Sequence, residues 1–341
     1  MQPYRLGPPP KNNDSELNGA DKMKRRHVLA ASTALWALPV ASLRAATFPD
    51  RPVTLVVPFA AGGTTDIATR KIADVLKRRW NQSVLVVNKP GAGTIIAAEL
   101  VARSAPDGLN ILIAPDPTYS VNPLIFDKLP YDPFKDFAPV TTLITYPLGI
   151  AVSTNLGVNS LKELVELSKT RDLNYGSFGV GTAPQLVMEL FKSQSGLKME
   201  HIPYNGIAPV LLAMQSGEVH ATVAGSGAVA SQIKAGKLKM LAMDYKTALF
   251  PEIPTFTEAG YPNMHAPSWW GVTVAAGTSK AIAQQIRQDL MAALEEPEIV
   301  AYLQTAGYDA SGETGEVLAK RMRDSRDMWA PIVKAKKIRV D

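Results

Sequence analysis

Residues 53–70, VTLVVPFAAGGTTDIATR, carry a pattern suited to receiving an anion. The apolar run Val53–Val57 stops at Pro58, and a turn of small residues follows before an amphipathic helical pattern begins. Gly62 and Gly63 let backbone N–H groups converge with no Cβ in the way. The start of the following helix adds unpaired N–H donors and a partial positive charge. Phe59, Ala60, Ala61, Gly62, Gly63, Thr64, Thr65 and Asp66 are therefore candidate ligand contacts, with Phe59 placed to stack on a flat organic ligand. Three similar turns follow other strand candidates: one with Gly91, Ala92 and Gly93, one with Ser177, Phe178, Gly181 and Thr182, and one with Tyr204, Asn205 and Gly206. Asp116 and Thr118 follow the strand candidate Asn110–Ala114 and join the set. Each turn offers neutral backbone and hydroxyl donors, which suit a carboxylate. Singly each reads more readily as a structural loop; together they point to one ligand cleft, because open α/β sheets bind ligands beyond the carboxyl ends of their strands.

Other chemistries fit less well. Gly91-Ala92-Gly93-Thr94-Ile95-Ile96 lacks the third glycine of a dinucleotide fingerprint, and no GxxxxGK[ST] loop is present. Gly225-Ser226-Gly227 does not have nucleophile-elbow spacing. His27, His201, His220 and His265 fall in no zinc-binding spacing, and there is no cysteine, so neither a metal nor a cofactor is expected. An exported serine hydrolase using Ser177 or Ser226 remains as an alternative that turnover of ester or amide substrates would reveal.

Strand candidates that must position these turns are Val53–Val57, Val84–Asn88, Asn110–Ala114, Val140–Leu143, Leu148–Val152, Asn174–Gly176, Glu200–Pro203, Ala221–Val223, Met240–Met243 and Gly271–Ala275. Between them lie helical patterns. In Thr65–Trp80 a stripe of Ile67, Ile72, Val75, Leu76 and Trp80 faces a core. Ser160 with Glu163 matches a capping box. The alternation predicts an α/β fold around parallel sheets. Proline-punctuated stretches at Asp127–Pro139 and Phe250–Pro267 read as connections near two crossings between lobes.

The first 45 of the 341 residues read as a leader. Lys24-Arg25-Arg26 precedes the apolar run Val28–Ala41, and Ala45 offers a small residue for cleavage, so Met23 is the expected start of a secretory signal. The formal net charge of +5 comes mostly from this leader, which has seven Lys/Arg against three Asp/Glu; the rest has 29 against 28. A nucleic-acid partner is therefore not expected. Export without cysteine means no disulfides, so a large core must supply stability.

Several stretches resemble, in order, those of a known family: PFAAGGTTDIATR (58–70), VVNKPGAGT (86–94), APDGLNILIA (105–114), LPYDPFKDFAPV (129–140), LNYGSFGVGTAP (173–184), HIPYNGIAPVLLAMQSGEV (201–219), PTFTEAGYP (254–262) and WWGVTVAAGTS (269–279). The chain resembles the Bug (TctC-type) extracytoplasmic receptors of tripartite tricarboxylate transporters. The resemblance implies a two-lobed periplasmic binding protein of type II topology with its cleft between the lobes. Lobe one would span 46–146 plus 271–341 and lobe two 147–270. It also implies a monomeric, non-enzymatic receptor that hands a small organic carboxylate to a membrane permease. The loop matching Ala60–Asp66 would hold the carboxylate, and Ser177, Thr182, Tyr204 and Asn205 would contribute from the second lobe. This chain has His220 where the family often has an acid, and Thr94 where it often has glycine. With Phe59 and Phe178, the change at His220 favours an aromatic acid such as terephthalate over an aliphatic di- or tricarboxylate such as citrate. Delivery to a membrane kinase instead of a permease is a further alternative.

Overall fold

The computed structural model describes residues 7–8 and 48–340. The expected leader lies outside the described residues but for residues 7–8. In chain order the elements are β1 (Val53–Val57), α1 (Thr64–Trp80), β2 (Val84–Asn88), α2 (Ile95–Ala102), β3 (Asn110–Pro115), α3 (Pro117–Ser120), α4 (Asn122–Ile125) and β4 (Phe137–Ser153). They continue as α5 (Leu161–Leu167), β5 (Asn174–Ser177), α6 (Ala183–Ser195), β6 (Glu200–Pro203), α7 (Ile207–Ser216), β7 (Ala221–Gly225), α8 (Ser226–Lys234) and β8 (Leu238–Met243). The last are β9 (Pro267–Ala275), α9 (Lys280–Leu294), α10 (Pro297–Ala306), β10 (Asp309–Ala310) and α11 (Gly315–Lys336).

The strand order is β2-β1-β3-β9-β4-β7-β5-β6, with β8 and β10 also paired to β4. The expectation of parallel sheets holds for β1 with β2 and β3, and for β5 with β6 and β7. Between these sets β9 and β4 run antiparallel to their neighbours, so the sheet is mixed. The strands expected at Val140–Leu143 and Leu148–Val152 are one 17-residue strand. Its residues 137–147 pair with β9, and from Leu148 it pairs with β7. Pro147, which has no N–H for a ladder, sits where the partner changes.

This register brings the turns together. Val57, Asn88 and Pro115 end parallel strands at one edge. Pro115 pairs with Trp270, and the start of β9 at Pro267 pairs with Pro147. The next residue of β4, Leu148, pairs with Gly225 at the end of β7. Ser177 and Pro203, ending β5 and β6, lie at that same edge of the other half. Strand ends from both halves thus face each other across Tyr146–Leu148.

Each half has its own core. Val53, Leu55, Ile72, Ile111 and Trp270 belong to one apolar cluster of the first half, and Val56, Leu112, Tyr119 and Trp269 to another. The second half packs Ile150, Tyr175, Leu186 and Phe191 on one side of its strands and Val210, Met214 and Val229 on the other. In α1, Ile72, Val75 and Leu76 are buried as expected, but Ile67 is 39% exposed. It lies about 140° round the helix from Ile72, on the outer face, while Thr65, Ala68 and Thr69 of the same turn are buried. Helix α11 gives Leu318 and Met322 to the first half's core and Trp329 and Val333 to the second's, with Pro331 inside it.

Candidate functional site

The first turn is organised from within by Asp66, which is 2% exposed. Its Oδ2 accepts from Gly62 N–H at 2.8 Å and from Arg70 Nε at 3.0 Å. Its Oδ1 accepts from Asn88 Nδ2 at 2.9 Å and pairs with Arg70 Nη2 at 2.9 Å. Asn88 Nδ2 also donates to the Phe59 carbonyl, closing the turn onto β2. The Arg70 hydrogen bond, helped by Gly62 N–H and the Asn88 amide, holds the Asp66 carboxyl at about 2 against burial, which pushes it up. Asp66 therefore shapes the turn, and its oxygens are spoken for. Phe59 to Thr64 are exposed, and Gly62 takes a left-handed φ of 85°, which favours glycine. Arg70 and Asn88 are contributors that the glycine pattern does not reveal; the i,i+4 spacing of Asp66 and Arg70 was the available signal.

The second turn winds through positive φ at Gly91, Ala92, Gly93 and Thr94. Gly91, Ala92 and Gly93 are exposed. Thr94 is instead buried: its Oγ1 lies 2.8 Å from Thr118 Oγ1, and Asn122 Nδ2 donates to the Gly93 carbonyl at 2.8 Å. Two of the expected contacts are turned inward in this structure. Thr118 is fully buried and its hydroxyl is engaged by Thr94, so it supports the turn from behind. Asp116 is also fully buried, accepting from Ser120 Oγ at 2.6 Å and Trp329 Nε1 at 3.1 Å. Burial pushes its carboxyl up to about 6. It ties α3 to α11 and faces the interior. Trp269 and Trp270 are core residues, Trp269 stacking on Tyr119 at 5.8 Å.

On the second half, Ser177 is buried at the end of β5, 2.6 Å from His201 Nε2. Thr182 Oγ1 donates to the Gly179 carbonyl at 2.7 Å, and Gly181 N–H to Gln185 Oε1 at 2.7 Å. Gly181 has a φ of 75°, and a Cβ there would overlap the Ile125 side chain of the first half. Phe178 and Tyr204 are half-buried and pack on the core beneath α7, while Asn205 is exposed and Gly206 starts α7.

His220 does not belong with these residues. It precedes Ala221, which pairs with Tyr175 at the start of β5, so it lies at the opposite end of the parallel strands from Ser177. Its Nδ1 accepts from Asn174 N–H at 3.0 Å. With a rise of about 3.3 Å per residue, a strand's length separates it from the cleft. His220→Ala is expected to leave ligand affinity unchanged in titration calorimetry while costing about 1 kcal/mol of stability in a urea melt, for the Asn174 N–H left unpaired.

The helix starts show what the cleft can do. Helices α1, α6, α7 and α8 follow strands that end at the cleft, and none has a side-chain hydrogen bond capping its start. Helices α5, α9 and α11 begin away from it and are capped by Ser160, Ser279 and Thr314, while α10, also beginning away from it, has no side-chain cap and opens on Pro297. Ser226, first in α8, has a buried hydroxyl without a partner. Uncapped starts leave N–H donors and positive dipole ends aimed at the cleft. Among the described residues no group of three or more His, Cys, Asp or Glu is placed to hold a metal. No described helix is long and apolar enough to cross a membrane.

Two α/β halves joined by shared strands, with uncapped helix starts meeting over the join, define the class of two-lobed periplasmic solute-binding proteins. The chain belongs to the tripartite tricarboxylate transporter family receptors, whose family model matches residues 68–338. A Bordetella pertussis protein of the UPF0065 group is 34% identical over 303 residues, covering 87% of this chain and 93% of the relative. Among solved structures, R. palustris Rpa4515 with adipate is 31% identical with a TM-score of 0.77, covering 86% of this chain and 99% of that one. MatC from Rhodopseudomonas palustris with bound malate is 28% identical with a TM-score of 0.76, covering 84% and 100%. The family resemblance read in the sequence is borne out, and a member of a receptor family binds its solute without transforming it.

Proposed function

We propose that the chain is an exported, monomeric receptor that captures a small dicarboxylate between its lobes and delivers it to the membrane component of a tripartite transporter. The observation that carries this reading is the set of uncapped helix starts, α1 from one half and α6, α7 and α8 from the other, at the same cleft. One carboxylate fits the exposed turn Phe59–Thr64 with the first N–H groups of α1; the second fits the starts of α6 and α7. Lobe one comprises 46–146 plus 271–341 and lobe two 147–270, with the last turns of α11 packed on lobe two. Hydrogen bonds from neutral donors to a charge contribute about 1.5–3 kcal/mol each. Three or four, offset by desolvation and closure, are consistent with binding of about micromolar strength. Ligand contacts to both lobes favour the closed form.

An aliphatic ligand is favoured because adipate and malate occupy the relatives named above, and because His220, one of the three residues behind the aromatic reading, lies at the far end of its strand from the cleft. An aromatic diacid such as terephthalate is the second reading, supported by Phe59, which is 37% exposed beside the turn. Thermal-shift titration with succinate, malate, adipate, citrate, benzoate and terephthalate tests both. A ligand at a hundred times its Kd adds about 2.7 kcal/mol, a rise of roughly 5 °C or more in Tm. Stabilisation by terephthalate alone would replace the aliphatic reading. No stabilisation by any of them would sink the carboxylate assignment.

A further inference from the structure

His201 sits behind the second-lobe turn and is tied to it by a directional chain of hydrogen bonds. Gly181 N–H donates to Gln185 Oε1 at 2.7 Å, which fixes the orientation of that amide. The amide nitrogen is then turned to His201 Nδ1, 3.1 Å away. An NH2 group can only donate, so Nδ1 must accept and the imidazole proton must sit on Nε2. Nε2 lies 2.6 Å from Ser177 Oγ and donates to it. The Ser177 hydroxyl in turn donates to the Gly179 carbonyl at 3.0 Å, while Gly179 N–H donates back to Ser177 Oγ at 3.2 Å. The ring is held flat against Tyr175, centroids 4.9 Å apart. A second proton on the imidazole would set Nδ1–H against the Gln185 NH2. Turning the amide over relieves that clash but sets the same NH2 against Gly181 N–H. Either way a bond that shapes the turn is lost.

We propose that His201 is a positioning residue for the ligand site, holding Gly179–Thr182 in the ligand-receiving shape only while its imidazole is neutral, so that acid releases the ligand. The charged and titratable groups acting on it are Tyr175 on β5 and Glu189 and Lys192 on α6, and Glu189 is in turn paired with Lys336 on α11 at 3.1 Å. Burial, aided by Lys192, holds the imidazole below its ordinary range, and Glu189 opposes this. The neutral form therefore prevails at neutral pH, and the chain is broken as pH falls through the imidazole's titration.

The structural half is tested on the full chain without ligand. In a 15N-histidine spectrum at pH 7.5, His201 is expected as the neutral Nε2–H tautomer, and the Gly179 and Gly181 amide resonances are expected to shift with its titration. The Nδ1–H tautomer, or glycine amides indifferent to that titration, would overturn the proposal. The functional half rests on the carboxylate reading above and uses malate and adipate as probes in calorimetry. Affinity is expected to weaken by up to about tenfold per pH unit below the titration, the limit for one linked proton. Glutamine can donate to Ser177 and accept from Gln185 without titrating, so His201→Gln should bind at pH 7.5 with this acid dependence removed. That arm separates His201 from Asp116, whose own titration persists in the variant. Affinity that strengthens in acid would mean that His201 carries charge to the ligand, and a wild-type profile matching His201→Gln would also refute the proposal. If neither probe binds, the carboxylate reading fails, while the spectra still decide the hydrogen-bond chain.

Discussion

Asp66→Ala is expected to weaken ligand capture at least tenfold and to lower stability by about 2–4 kcal/mol. The substitution leaves Gly62 N–H, the Asn88 amide and the Arg70 guanidinium without their shared acceptor. An unpaired buried donor costs about 1–3 kcal/mol. The total stays below the sum because Arg70 is about half exposed and Gly62 is exposed, so both recover water, while Asn88 keeps the Phe59 carbonyl. The lost affinity follows from geometry: without the carboxylate only the Asn88 bond to the Phe59 carbonyl ties the Phe59–Gly63 turn to β2, and Gly62 N–H is no longer fixed. Calorimetry with whichever acid stabilises the wild type, alongside urea melts, measures both effects. Wild-type affinity in a folded variant would show that the turn does not depend on Asp66. The acid limb of the stability curve gives a second reading. The Asp66 carboxyl is held at about 2, below its ordinary 3.8, so its contribution is present above pH ~4 and is lost as pH falls towards 2. That limb should be shallower in Asp66→Ala than in the wild type.

Gly227→Val is expected to cost about 3 kcal/mol or more and to lower ligand affinity as well. A Cβ at this position would overlap the carbonyl, carbon and Cα of Ala306, the last residue of α10. The obstacle is main chain, so no rotamer change relieves it. Helix α8 packs on β8 and α10 packs on α1, so the relief has to come from moving one helix against the other. Overpacking typically costs 1–3 kcal/mol, and contacts with backbone fall at the upper end. Shifting α8 also carries its uncapped start away from the cleft. Ala228→Ser, one residue on and exposed, should stay within about 1 kcal/mol of the wild type in the same urea melts. Equal stability of Gly227→Val and the wild type would show that α8 and α10 are free to separate.

Much of this fold was legible because it obeys local rules. The apolar runs Val53–Val57 and Val84–Asn88, and the helices Ala183–Ser195, Lys280–Leu294 and Pro297–Ala306, run between the residues that their periodicity, prolines and glycines mark. The capping box at Ser160 works as read, with Ser160 Oγ accepting from Glu163 N–H. The continuity of β4 was not legible, since the break in its apolar pattern at Thr145-Tyr146-Pro147 reflects a change of partner strand and not an end of strand. Helices α3 and α4 have four residues each, too few for a period. At the site, glycine turns told where backbone donors gather, and ordered family stretches told which turns belong together. They could not tell which way a side chain points. Thr118 and Asp116 face inward because α3 turns back onto α11, and His220 is at the far end of its strand because of the β5–β7 register. Both are consequences of long-range pairing that spacing does not encode.

Helix α11 reaches from one core to the other, with Asp116 gripping it at Trp329 between them. Three elements thus run through both halves: β4, β9 and this helix. Two adjacent strands alone would let the halves twist and splay in many directions. A third strut leaves fewer open arrangements, so there is less freedom to surrender when the halves come together on a solute. Little of the attraction between solute and protein is then consumed in ordering the protein. On the proposed reading, that economy would let a site of neutral N–H groups hold its solute without a buried arginine or lysine.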